Sequence, residues 1–152
     1  MKRIWAAAAL CVASAAWAGP VDDAKAVNVA FVAAASIEDP AESVRQVAAL
    51  FTENMRHIGV FGVVKGRDSL IKTITPAFMA PGRKSTLTSN EGVELDSTTV
   101  LTISKFINEF KDPNGNTVKL PLRCVRLVKK QSDGKYLIAA EHTSFGPPPP
   151  MH

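Results

Sequence analysis

The chain is poor in several things that carry chemistry or stability elsewhere. It has two cysteines, one tyrosine and three histidines in 152 residues. Cys11 falls in a segment expected to be removed, so Cys124 alone would remain and no internal disulfide can form, although an exported compartment would permit one. Cys124 lies in LRCVRLV and reads as a small half-buried hydrophobe. The histidines have no close-spaced partner; a metal site needs three converging ligands, so no metal and no other cofactor is expected. Long basic runs are missing too. Lys129-Lys130 reads as a solvated strand end, and the formal charge of +4 falls to about +2 without Lys2 and Arg3. Nucleic acid is therefore not an expected partner. After the first segment no stretch approaches the ~20 apolar residues of a membrane span.

What is present begins with MKRIWAAAALCVASAAWAGP. Lys2 and Arg3 form a basic start, Ile4 to Ala16 an apolar stretch too short to span a membrane, and Ala16-Trp17-Ala18 a small-residue exit. This pattern is a secretory signal cleaved after Ala18, and the expected location is periplasmic or secreted. Leu10, not a small residue, precedes Cys11, so a lipid anchor is not expected. Residues 19–146 then form one domain of a size that supports one core. Residues 147–152 form a Pro-rich tail that reads as extended and solvated rather than as a docking ligand.

Three helices are expected first. VDDAKAVNVAFVAAAS places Ala24, Val27, Phe31 and Ala34 at helical spacing behind Asp22-Asp23. DPAESVRQVAALF offers Asp39 as N-cap, Pro40 at the first helical position and Glu42 for a capping box. NMRHIGVFGVVKG reads as a small hairpin. GRDSLIKTITPAFM is a third helix with Ile71, Ile74 and Phe78 on one face, which Pro76 should kink or end early. The second half reads as strands near 84–95, 98–110, 118–129 and 136–143. DPNGN and QSDGK are tight-turn signals, and they put the last three strands in an antiparallel meander. Helices followed by a long meander give an α+β fold: three N-terminal helices packed in a strongly curved antiparallel sheet, with room for a ligand pocket between them.

The order ALFTEN, GVVKGRDSLI, NGNTVKLPLRCVRLVKK and DGKYLIAAEHTS resembles the nuclear-transport-factor-2-like superfamily. It is most similar to its SnoaL-like small proteins of the SgcJ/EcaC type, which also resemble the association domain of calmodulin-dependent kinase II. Leu50-Phe51-Thr52-Glu53-Asn54 matches a helix end where the family has aspartate at the last position. Gly66-Arg67-Asp68-Ser69-Leu70 matches the opening of the third helix. Asp133-Gly134-Lys135-Tyr136-Leu137-Ile138 and Glu141-His142-Thr143-Ser144 match the closing hairpin and its His-Ser cluster, thinned to one imidazole. The resemblance spans roughly residues 22–146. It implies a cystatin-like cone, usually dimeric, that hosts isomerases, dehydratases and cyclases as well as binding and assembly modules, so it does not fix the chemistry.

A ketosteroid-isomerase-like reaction needs a carboxylate base and neutral donors. Asp112 and Asp133 belong to turns, and Tyr136 takes the family's structural tryptophan position, so that set is missing. His142, near the end of the closing strand, is the candidate general acid/base. Glu141 beside it points to the other face unless a bulge intervenes. Arg123 alternates with Val125 and Leu127; either it snorkels outward or it binds an anion, and the resemblance implies carboxylate recognition there. Arg126 falls on the opposite face, toward a dimer partner. Asn54, His57 and Tyr136 complete the candidate ligand-binding set. The reading is an exported homodimer whose cone binds a small apolar or carboxylate-bearing molecule. The alternatives are an isomerase, dehydratase or cyclase using His142, and an assembly module with a filled cone. Binder and enzyme alike require Arg123 and His142 to face one pocket.

Overall fold

The structure, a computed structural model, describes residues 19–59 and 62–146. The expected signal (1–18), the Pro-rich tail (147–152), Val60 and Phe61 of the first hairpin and the side chain of Phe78 lie outside what is described. Helix α1 (Pro20–Ala35) carries Pro20 at its start and Asp22 and Asp23 in its first turn, where anionic groups complement the helix dipole. Helix α2 (Pro40–Ala49) is capped by the Asp39 side chain, which accepts from the Ala41 N–H at 3.0 Å. The reciprocal half of the expected capping box does not form. Glu42 turns instead to Arg45 and Gln46, three and four residues on, the spacing at which helical side chains meet. In α3 (Arg67–Phe78) Pro76 sits in the last turn, and the Met79 N–H bonds the Pro76 carbonyl as the helix ends. Leu70, 2% exposed, is its deepest anchor.

The strands are β1 (Phe51–Gly59), β2 (Gly62–Lys65), β3 (Lys84–Asp96), β4 (Thr99–Lys111), β5 (Thr117–Lys130) and β6 (Tyr136–Phe145). They form one sheet in the order β2-β1-β6-β5-β4-β3. The two tight turns form as expected, with Gly115 and Gly134 at φ 83° and 86°, backbone that favours glycine. The sheet departs from the expected antiparallel pattern at one seam: β6 closes onto β1 in parallel. Register shifts interrupt β3 against β4, β5 against β6, and β6 against β1. Such bulges bend and twist a sheet, and here they wrap it around the helices.

The core between sheet and helices has two parts. Val100, Val128, Ile138, Phe51 and Met55 meet Ala24, Val27, Ala34, Val47 and Leu70. Phe106, Leu122 and Cys124 form a second group with Phe31, Leu87 and Leu120 against it. Two contacts seat α1 on the sheet. Gly92 leaves room for Val21, whose Cγ1 would lie 2.9 Å from any Cβ at that position. Arg83 donates from Nε to the Ala35 carbonyl at 2.6 Å and from Nη2 to the Ile37 carbonyl at 2.7 Å, satisfying acceptors that a helix end leaves open. Replacing Arg83 with Met should therefore lower the unfolding free energy by about 1–3 kcal/mol, read as a shift of the urea midpoint at constant slope. An unmoved midpoint would mean that these bonds add nothing to stability.

Candidate functional site

Strand alternation decides what faces the cone. On β5, Leu122, Cys124, Arg126 and Val128 are buried, while Arg123 and Val125 are exposed. The pairing register then lines up inward rows across the sheet. Gly92, Thr102, Arg126, Glu141 and His57 form one row over β3, β4, β5, β6 and β1. Asn90, Ser104, Cys124 and Thr143 form the next. Apolar rows flank the pair: Leu87, Phe106 and Leu122 on one side, Val100, Val128, Ile138 and Phe51 on the other. The concave face thus carries a polar belt between two greasy bands.

Arg126 is the centre of this belt and is 1% exposed. Its Nε donates to Glu141 Oε2. Its Nη1 donates to Asn28 Oδ1 of α1 at 2.7 Å, and its Nη2 approaches the Cys124 sulfur at 3.9 Å. The Phe31 ring covers the guanidinium, with its centroid 4.2 Å from Cζ, a favourable cation–π arrangement. Glu141 Oε1 meets His57 Nδ1 at 3.0 Å and accepts from Thr143 Oγ1 at 3.0 Å. Asn28 passes the chain on to Asn90 Oδ1 at 2.8 Å, and Asn90 donates to the Lys25 carbonyl at 3.0 Å. Burial by itself would raise the Glu141 carboxyl; the Arg126 charge and the His57 hydrogen bond overcome it and hold the group at about 2. Burial, reinforced by Glu141, pushes the Cys124 thiol up to about 12, so it is a protonated packing group rather than a nucleophile.

Two members of the belt stand outside this network. Thr102 Oγ1 and Ser104 Oγ are fully buried and have no hydrogen-bond partner among the described residues. Two surface depressions, of about 360 and 500 Å³, lie elsewhere, by Glu53 and Gly66 to Ser69 and between the α1–α2 loop and Met79 to Arg83.

Of the residues singled out in the sequence, His57 enters the belt. Tyr136 joins the apolar core, and Asn54 is exposed on β1. Arg123 and His142 do not share the cone, because both lie on the convex face and are exposed, so the site expected around them, for binder and enzyme alike, does not form. Arg126, expected to face outward, is the buried one. Arg126 shares its face with Leu122, Cys124 and Val128, whereas on β6 the reason is a bulge: between β5 and β6 the pairing steps from Val128 with Ile138 to Leu127 with Ala140. One extra residue flips every later side chain to the other face, so Glu141 and Thr143 turn inward and His142 outward. Glu141 does make a carboxylate–imidazole pair, but with His57 across the β1–β6 seam. Asn28, Thr102 and Ser104 were not singled out, since a polar residue in an otherwise apolar periodicity carries no further mark in one sequence.

Comparison with known proteins supports the fold. No family model and no curated protein matches the sequence. Among solved structures, the chain is similar to a ketosteroid isomerase-like protein from Erwinia carotovora atroseptica at 17% identity and TM-score 0.70, covering 84% of this chain and 97% of that one. It is similar to an uncharacterised protein with a cystatin-like fold from Caulobacter vibrioides at 20% identity and TM-score 0.69, covering 86% and 92%. A protein from the nuclear-transport-factor-2-like family of Streptomyces avermitilis aligns at 15% identity and TM-score 0.69, covering 83% and 95%. The chain has the cystatin-like cone expected from its sequence.

The buried pair makes stability depend on acid in a defined sense. Glu141 has its folded pKa depressed from 4.5 to about 2, so its contribution is complete above the unfolded value and is lost as pH falls from about 4.5 toward 2. Urea midpoints of the wild type should drop across that window, and those of Glu141→Gln should drop less. At neutral pH, Glu141→Gln should cost about 3–5 kcal/mol, because it strands the Arg126 charge, whereas Arg126→Met with Glu141→Leu should cost less than either change alone. Additive losses would mean that the two side chains do not act as a pair.

Proposed function

We propose that the cone binds a small molecule against the polar belt, and that the protein is exported through its N-terminal signal to the periplasm or beyond. The observation that carries this reading is the pair of buried, unpartnered hydroxyls of Thr102 and Ser104. A buried hydroxyl without a partner costs on the order of 1–3 kcal/mol, and a small molecule reaching this strand face would offset that cost at both. Phe31, Leu87, Phe106 and Leu122 offer apolar surface beside them.

An acid/base enzyme has less support. His142 is on the convex face, and the interior imidazole, His57, is engaged by Glu141. Any Cβ at residue 59 would lie 2.0 Å from His57 Nε2, so that nitrogen is turned toward the Gly59 backbone. Thr102 and His57 are three strand steps apart in the row, on the order of 14 Å along the sheet at about 4.8 Å per step. A molecule held by the hydroxyls would not meet the imidazole. Native mass spectrometry of protein secreted with its own signal should reveal a co-purified small molecule in the wild type and its loss in Thr102→Val/Ser104→Ala. A bare mass for both proteins would count against the binding reading.

A homodimer through the convex face has its own support. Ile103, Val125, Ile58 and Val63, exposed by 41%, 38%, 52% and 67%, form one outer row together with His142. Glu91 ends this row on β3, and Lys65 and Arg56 flank its other end. A two-fold axis along the strands would set the acidic end of one copy against the basic end of the other, as an isologous interface requires. Val125→Asp should halve the mass seen by light scattering at micromolar concentration. A wild type that is monomeric throughout would refute the dimer.

A further inference from the structure

Resting on the dimer reading, we infer that the convex interface is gated by acid: two copies stay together while His142 is neutral and separate when it takes up a proton. What decides this is where His142 sits in the exposed row and which charges surround it.

Across the sheet from β3 to β2 the row runs Glu91, Ile103, Val125, His142, Ile58, Val63. His142 thus has Val125 beside it on β5 and Ile58 beside it on β1. The midpoint of the row falls between Val125 and His142. A two-fold axis along the strands reverses the row about that midpoint. Each His142 then lies on Val125 of the second copy, and the two imidazoles take neighbouring positions across the axis. A neutral imidazole suits such a place, because its ring is flat and largely apolar. An imidazolium does not, because it gives up its water for aliphatic neighbours.

The surrounding charges oppose protonation as well. On β6 the same-face neighbours of His142 are Ala140 and Ser144. Arg123 on β5 pairs with Ser144, and Arg56 on β1 pairs with Ala140, so each is a diagonal neighbour of the imidazole. Lys105 lies beside Arg123 on β4, and Lys65 beside Arg56 on β2. All four cations are exposed. Among the described residues no carboxylate faces His142. Glu141 points inward to Arg126 and His57. Glu91 ends the row on β3, three strands away, and reversal carries it to Val63 of the second copy rather than to His142. Glu109 lies further along β4, 3.6 Å from Lys119. An imidazole ordinarily titrates near 6.5. The dimer binds fewer protons than two separate copies, so association is complete above that range and weakens as pH falls through it. With one His142 per copy, the dissociation constant should rise by up to about a hundredfold for each pH unit below the range. In a protein exported as proposed, assembly would follow the acidity outside the cytoplasm.

The test is sedimentation equilibrium of the mature protein at pH 7.5 and pH 5.5 and one ionic strength, with circular dichroism at both. These values lie above the range in which Glu141 takes up its proton, so the cone itself stays folded. The dimer dissociation constant of the wild type should be about thirtyfold or more higher at pH 5.5 than at pH 7.5, the result expected if both copies must release a proton to associate. His142→Gln should change by less than about threefold over the same interval. Should glutamine weaken the dimer too far to measure, His142→Phe, which keeps a flat ring and removes the proton site, should associate at both pH values. A wild-type constant that is the same at both pH values overturns the gate and leaves the dimer standing. A pH dependence that persists in the His142 variants overturns the role of this imidazole. If the wild type is monomeric at both pH values at micromolar concentration, the dimer reading falls and the gate falls with it.

Discussion

The ion pair between Arg126 and Glu141 is the constraint around which the concave face is organised. Two charges removed from water are stable only if each meets the other with its remaining hydrogen bonds satisfied. Here Asn28 comes from α1, His57 from β1, and Thr143 follows Glu141 along β6. The pair therefore ties one helix to three strands. Its place in the topology matters more than its strength. The β4–β5 and β5–β6 pairings are set by short turns, whereas the parallel closure of β6 on β1 has no turn to fix its register. A slip of one residue at that seam would carry His57 out of the inner row and leave Glu141 Oε1 without its imidazole. That penalty makes the register specific where local sequence does not.

Most of the architecture was legible. Asp39-Pro40, the helical spacing of Ala24 and Val27, and the two Gly turns carry their own local physics, and each appears where expected. The site was less legible, for reasons that can be named. Counting alternate residues from Tyr136 and Ile138 places Ala140 and His142 on the inner face, and the bulge before Ala140 reverses that count. No residue type announces the bulge. On β5 the two faces read Leu-Cys-Arg-Val and Arg-Val-Leu, so hydropathy alone could not choose which arginine was inside. Glu141 could be recognised as a partner for an imidazole, but its real partner lies 84 residues away, across the one seam that sequence could not pair.

The neighbours in structure space share the cone at 15–20% identity, which fits a fold maintained by shape and apolar volume rather than by particular side chains. What sets one such chain apart is then which of its inward positions are polar. In this chain those positions divide by how completely they are bonded. The charged members bond one another and α1, and they act as a fixed floor. Thr102 and Ser104 lie at the β4 side of that floor with their hydrogen-bonding capacity unused.

That division explains why an arginine inside a cone is a poor guide to ligand charge. What a buried cation can recognise depends on what already neutralises it, and a carboxylate paired directly across on the neighbouring strand is invisible in a linear reading of LRCVRLV. In Arg126 the guanidinium has become part of the scaffold: it holds Asn28 and Glu141 and supports Phe31 from below. The hydroxyls of Thr102 and Ser104, desolvated and without a partner among the described residues, depend for their placement on the ion pair that keeps the strand and the helix above it in register.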